Sequence, residues 1–267
     1  MFVKKLITAV LLLACFSLSS LAQVKDDYKK NWDKVEAFQK KGLSKSALQE
    51  VMAIQAMALK ANNEAQVIKT YIHQVMFRNM VEEDSRENNI FYVDTLIEKA
   101  KGPAKNVLQS MQAEMFWQYL TNNRWKFYDR TKLANEKAKD ITTWSIDKLY
   151  NTISSLYKAS LSNPALLKAT PVGNYDAILI KGENTRQLRP TLYDLLAFRA
   201  LTFFMNDESG ITKPAYEFKM NEPVAFAPAR EFAKASFNTK DTASQQRSAL
   251  LLLQNIIKYC VGLASFR

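Results

Sequence analysis

The 267-residue sequence predicts an all-α fold, an irregular solenoid of helical hairpins of the tetratricopeptide-like type. Three observations carry this. Glycine is scarce, with 6 residues in the whole chain, which leaves little of the backbone freedom that turn-rich β folds need. Apolar residues recur at three- and four-residue spacing in run after run. The runs are separated by short breaks of Asn, Gly and Pro, and the resulting pairs have the roughly 34 to 45 residues of helical-repeat units. No repeat consensus accompanies the spacing, so the array is irregular.

The elements follow in order. Ser44 is placed to cap a helix, with Leu43 and Leu48 as its hydrophobic staple and Ala47, Val51, Ile54 and Ala58 along one face. Asn62-Asn63 breaks it. A second helix carries Val67, Ile68, Tyr71, Ile72, Val75 and Met76, and ends in the polar run 82–89. A shorter helix, Ile90 to Lys101, stops at Gly102-Pro103. Leu108, Met111, Met115 and Tyr119 line the next one. Ser145, with Trp144 and Leu149 as staple, caps a helix that faces inward through Ile146, Leu149, Tyr150, Ile153, Leu156 and Tyr157 and ends near Asn163-Pro164. These read as antiparallel pairs joined by tight turns.

The first non-helical stretch is 171–190. Within it Ala177-Ile178-Leu179-Ile180 is read as one short extended segment, although an apolar run of this length does not separate strand from helix by periodicity. The sharpest local signal follows. In Arg189-Pro190-Thr191-Leu192-Tyr193-Asp194, Thr191 can cap a helix and Asp194 can answer it as a short-armed capping box, with Pro190 and Leu195 bracketing the first turn. That helix is apolar almost all round (Leu192, Leu195, Leu196, Phe198, Leu201, Phe203, Phe204) and is expected to be the most buried. An irregular loop at 206–228 contains Pro214, Pro223 and Pro228. The last helix runs from about Thr242 to Gly262, with Ala249, Leu253, Ile256 and Cys260 in register.

The first 22 residues have the anatomy of an export signal: basic Lys4 and Lys5, an apolar core from Leu6 to Phe16, and Ser20-Leu21-Ala22 before Gln23 as the cleavage site. The expected location is therefore the periplasm or cell envelope. Leu12-Leu13-Ala14-Cys15 also suits bacterial lipidation, which would tether the chain to a membrane. The residues after Cys15 stay apolar instead of opening a polar tether, so soluble export is favoured. Once the signal leaves, Cys260 is the lone cysteine and no internal disulfide can form. The domain reading is signal 1–22, helical-hairpin array 23–205, loop 206–228 and a C-terminal helical segment 229–267.

The chain carries a formal charge of +11, two units of which leave with Lys4 and Lys5. Its cations are interleaved with acids, as in Lys25-Asp26-Asp27-Tyr28-Lys29-Lys30, and an exported chain rarely meets nucleic acid. The charge reads as a solvated surface, with no nucleic-acid partner expected. His73 is the only histidine; its place between Ile72 and Val75 predicts a partly buried, hydrogen-bonded side chain. Cys260 lies on the apolar face of its helix, where a cysteine acts as a small hydrophobe. Glu82-Glu83-Asp84 lacks the alternation and turn glycine of a calcium loop. The six glycines form no phosphate loop. No catalytic, cofactor-binding or metal-ligating residues emerge, and no enzymatic activity is expected. Asn123-Arg124-Trp125-Lys126-Phe127-Tyr128-Asp129-Arg130 leaves two readings open. One is a buried elbow with Trp125 packed between helices; the other is a cation and aromatic surface for a glycan or peptide.

Several segments, in order, resemble the N-terminal helical region of large bacterial alpha-2-macroglobulin-like proteins. They are Gly42-Leu43-Ser44-Lys45-Ser46-Ala47-Leu48, Asn123-Arg124-Trp125 through Arg130-Thr131, Asp140-Ile141-Thr142-Thr143-Trp144, and Arg189 to Leu201. Pro190-Thr191-Leu192-Tyr193-Asp194 is the most specific of them. The resemblance implies an exported envelope protein that traps proteases through a bait region and, in many members, a Cys-x-Glu-Gln thioester. This sequence has no Cys-x-Glu-Gln, and Cys260 is followed by Val261-Gly262-Leu263. The expectation is thus a non-catalytic scaffold or interaction module from the front of such a protein, truncated or frameshifted. Its partner would be another protein or the missing downstream domains. The alternative is a self-standing secreted helical-repeat protein that binds a peptide or glycan.

Overall fold

The computed structural model describes residues 28–81, 85–128, 137–206 and 216–264. The signal segment with Cys15 and the cleavage pair Ala22 and Gln23, the Glu82-Glu83-Asp84 run, Asp129 and Arg130, and Pro214 lie outside them. The fold is all-α and built of packed helical hairpins, as the spacing predicts. No strand occurs among the described residues; the β-type pairing there is a single bridge between Pro171 and Thr191. No helix among them is long and apolar enough to cross a membrane. The chain divides into two compact units between Ser85 and Arg86, whereas the sequence reading carries one array through to residue 205.

The first unit holds α1 (28–40), α2 (Ser44–Lys60) and α3 (Glu64–Val81). Both turns are closed by the same device. After α1, Gly42 takes φ +70°, its N–H donates to the Gln39 carbonyl (3.0 Å), and the Leu43 N–H reaches back to Phe38 (2.9 Å). After α2, Asn62 takes φ +50°, and the Asn62 and Asn63 N–H groups reach Leu59 (3.2 Å) and Ala58 (2.9 Å). This is the left-handed helix stop, which satisfies carbonyls the helix end would otherwise leave bare. It also corrects the expected cap. Leu43, not Ser44, holds the N-cap position of α2 without a side-chain bond, because the turn from α1 runs directly into the helix.

The inward face of α2 is Ala47, Val51, Ile54 and Ala58, all fully buried, as expected. That of α3 is rotated from its expected place. Ile68, Tyr71, Gln74 and Phe77 are buried, while Ile72, Val75 and Met76 are only partly so. Gln74 can face inward because its Nε2 donates to Gln55 Oε1 (3.0 Å), which removes the cost of an unpaired buried amide.

The second unit comprises α4 (Ser85–Lys99), α5 (Gly102–Asn122), α6 (Trp125–Tyr128), α7 (Ile146–Ser160), α8 (Pro164–Ala169), α9 (Thr185–Leu188), α10 (Leu192–Phe204), α11 (Ala229–Phe232) and α12 (Gln245–Ala264). Gly102-Pro103 marks a helix boundary, as expected: α4 stops at Lys99, and Pro103 sits in the first turn of α5, where its missing N–H costs nothing. Instead of one apolar face, α5 buries Leu108, Ala113, Phe116 and Leu120 on several sides, together with Asn106, Ser110 and Gln112. It is the pillar on which α7 packs, and α10 meets both. Ser145 caps α7 as expected, accepting from the Lys148 N–H (3.3 Å).

Polar side chains on the pillar tie the helices together. Asn106 Nδ2 lies within reach of the carbonyls that end α7, Ser160 (3.1 Å) and Ser162 (3.0 Å). Gln112 Nε2 donates to the Ile90 carbonyl (3.0 Å). Phe91 and Phe116 meet with ring centroids 5.8 Å apart, and Trp144 stacks on Phe116 at 5.4 Å.

The proline-containing loop does not dangle where it is described. Phe218 packs with Phe232, Phe237 and Leu250 in a small core, and its N–H donates to Asp241 Oδ2 (3.1 Å). Gln254, buried on α12, donates to the carbonyls of Phe232 (2.7 Å) and Ala235 (2.8 Å), which holds the irregular segment against the last helix.

Candidate interaction site

The stretch around Pro190 is a structural clasp. Thr191 Oγ1 accepts from the Asp194 N–H (3.3 Å), and Asp194 Oδ2 accepts from the Thr191 N–H (3.0 Å) and from its hydroxyl (2.7 Å). Both residues are buried, so the capping box of α10 is complete and shielded from water. On either side, the Val172 N–H donates to the Pro190 carbonyl (2.8 Å) and the Leu192 N–H to the Thr170 carbonyl (2.9 Å). The clasp thereby pins the base of the loop 171–191 onto the start of α10.

Above that base the loop is short of internal bonds. Val172–Tyr175 form a 3₁₀ turn, and the Ile178 N–H closes back on Tyr175 (2.9 Å), so half of the expected extended segment is turn. Leu179 to Gly182 then run without regular structure, and their backbone N–H groups make no hydrogen bond among the described residues. Asn184, at φ +55°, swings the chain into α9.

Between this run and α10 lies a groove of about 270 Å³. Its apolar lining includes Val172, Leu179, Ile180, Leu195 and Phe198; among the described residues its charged lining is Arg186, Arg189 and Arg199 with no acid. The three guanidiniums are held differently. Arg199 is tethered from behind, its Nε donating to Ser110 Oγ (3.0 Å) with Glu114 at 3.5 Å. Arg186 is paired with Asp176, whose other oxygen takes Lys181 (2.8 Å). The Lys181 and Arg186 cations hold the Asp176 carboxyl below the usual carboxylate range. Arg186 Nε remains buried without an acceptor. Arg189 has no acidic partner among the described residues and lies flat on Phe198, its guanidinium carbon 3.7 Å from the ring centroid. Ile180 is wholly exposed at one rim, and Leu188 is exposed nearby.

The elbow reads differently from its expected packing. Phe127 is fully buried and meets Tyr119 edge-on at 6.3 Å, but Trp125 is 70% exposed, with Lys126 Nζ 5.4 Å from its ring centroid. On a one-turn helix, Trp125 and Phe127 point to different sides, and only one of them can enter the core. His73 is as expected: half-buried, its Nδ1 2.9 Å from the Lys69 carbonyl and its ring 4.5 Å from Trp32. Burial holds it below the ordinary histidine range. Cys260 is corrected: it is exposed, although it lies on the face that α12 buries through Leu252 and Ile256, because the packing that covers Ile256 does not extend to the next turn at Cys260.

Among the described residues, no group of three His, Cys, Asp or Glu side chains is placed to hold a metal ion. The arginine groove was not legible in the sequence, since Arg186, Arg189 and Arg199 belong to three elements. The one available signal was the apolar run 177–180 next to Lys181, in a stretch with no amphipathic period to bury it. No family model, curated protein or solved structure matches the chain.

Proposed function

We propose that this chain is a non-catalytic helical interaction module, the front portion of an exported alpha-2-macroglobulin-like protein of the cell envelope, with docking or scaffolding as its task. One observation carries the module reading. The buried polar side chains Asn106, Gln112 and Gln254 tie elements together and Thr191 with Asp194 closes the cap of α10, while Ile180, Leu188 and Trp125 stand in solvent. A rigid scaffold that holds apolar side chains outward suits binding. The family reading is supported by the segments that resemble it. The Pro190 to Asp194 segment is a clasp, the kind of local feature that marks a fold and not a reaction. Export is supported by the signal-like first 22 residues.

Translating the coding DNA beyond Arg267 in all three frames tests the family reading. β-Sandwich domains with a Cys-x-Glu-Gln are the expected result. A stop followed by an unrelated gene would refute a front-domain role.

The exposure of Trp125 favours a second reading, a self-standing secreted helical-repeat protein with a glycan or peptide on the 124–127 elbow. A glycan array probed with the wild type and Trp125→Ala tests it: binding that the substitution leaves intact removes the elbow from consideration.

A further inference from the structure

We infer that the groove between residues 179–182 and α10 is a docking site for an extended acidic peptide, one that alternates carboxylate and apolar side chains. The inference rests on the interaction-module reading and names the chemistry of its partner. Charge is the first argument. Among the described residues three arginines and no acid line the groove, and Arg189 has no acidic partner. A peptide carboxylate supplies what Arg189 lacks, and a guanidinium already stacked on Phe198 keeps its edge free for a paired bond.

The second argument is the backbone. Leu179 to Gly182 form one wall, and their N–H groups are unpaired among the described residues. An extended chain laid along them can pair with this wall as an added strand, the mode in which main-chain bonds give affinity and alternate side chains give specificity. Alternation then fixes the sequence pattern. Side chains two positions apart point the same way, so a carboxylate at one position meets Arg189 and an apolar side chain two residues on enters the Leu179, Leu195 and Phe198 floor.

The third argument is Ile180. A wholly exposed isoleucine at the rim gains burial only when a partner covers it. The clasp below fixes the base of the groove: main-chain bonds join the two ends of the loop, Val172 to Pro190 and Leu192 to Thr170, beside the buried Thr191–Asp194 box.

The test is to pan a displayed library of random dodecapeptides on the full chain and measure the winners by fluorescence anisotropy. The expected winners carry Asp or Glu two residues from Leu, Ile or Phe. They should bind at least tenfold more weakly to the double variant Arg186→Gln, Arg189→Gln, and more weakly again in 0.5 M salt. Arg189→Glu should switch preference to the same peptides with the acid replaced by Arg, a result that a merely misfolded variant cannot give. Circular dichroism and thermal midpoints check that each variant remains folded. Winners of other chemistry, or winners indifferent to the arginine variants, overturn the groove assignment and leave the module reading in place. Failure of any peptide to enrich also overturns it, whereas the module reading then depends on the downstream coding sequence. Self-association by sedimentation, abolished in Ile180→Ser, would make a second copy the occupant and refute the acidic-peptide assignment.

Discussion

Replacing Asp194 by alanine removes the carboxylate that closes the clasp. Its Oδ2 accepts from two donors, the Thr191 N–H and hydroxyl, and all three groups are buried. The alanine variant leaves the Thr191 N–H without an acceptor and without water. An orphaned buried donor costs about 1–3 kcal/mol, and bonds to a charged acceptor lie in the upper half of that range. Thr191 Oγ1 can still accept from the N–H of residue 194, so the cap itself is not wholly lost. The expected loss is about 2–3 kcal/mol. For a unit the size of residues 86–267, each kcal/mol is about 2–4 °C, so the melting midpoint should fall by roughly 5–10 °C.

Thr191→Ala should cost about 1 kcal/mol as a lost cap. The double variant should cost less than the sum by about 1 kcal/mol, because each residue's bonds are made to the other. Urea unfolding followed by tryptophan fluorescence reads all three. If Asp194→Ala and the double variant both stay within about 0.5 kcal/mol of wild type, the clasp is not structural, and its prominence in the sequence needs a different cause. Arg189→Gln in the same assay should cost no more than about 0.5–1 kcal/mol, since its stacking on Phe198 is lost but no ion pair among the described residues is.

Three further predictions concern other regions of the molecule. Tyr157 donates to Glu114 Oε2 (2.9 Å); burial first, and then the Glu114 charge, push its hydroxyl far above the ordinary tyrosine value of 10.0. The unfolded chain therefore releases this proton first, stability falls as pH rises past 10, and Tyr157→Phe should flatten that alkaline decline in urea midpoints while costing about 1 kcal/mol at neutral pH. His73 has the opposite sign: its folded pKa is depressed below 6.5 by burial, so its contribution is present above pH 6.5 and lost as pH falls through the folded value. His73→Gln should lessen the acid-side loss of stability of residues 28–81, measured by urea midpoints between about pH 7.5 and 5. At Gly42, with φ +70° and open space around the missing Cβ, Gly42→Ala should cost about 1–2 kcal/mol through backbone strain alone; an unchanged thermal midpoint would show that the turn can relax.

The fold class was legible because it depends on local chemistry. The face Ala47, Val51, Ile54 and Ala58, the Ser145 cap and the Thr191–Asp194 box are each made by residues within a few positions of one another, so their spacing is enough to state them. The breaks at Asn62-Asn63 and Gly102-Pro103 are local in the same sense. Errors enter where a second element decides. Ile72 and Val75 are as apolar as Ile68, yet Gln74 takes the inward place on α3, because Gln55 of α2 is there to bond it. Cys260 falls in register with Ile256, yet Ile256 is buried and Cys260 is exposed.

The candidate site belongs wholly to this second class. Arg186, Arg189 and Arg199 lie on α9, the following turn and α10, and their convergence depends on how the clasp folds residues 171–191 back onto α10. The same holds for Trp125: the sequence left open whether it packs in the elbow or faces outward, and only the packing against Tyr119 decided that Phe127 takes the buried place. Local hydrogen bonds and periodicity are properties of a short stretch of chain. Which side chains are left facing water is a property of what has packed against them.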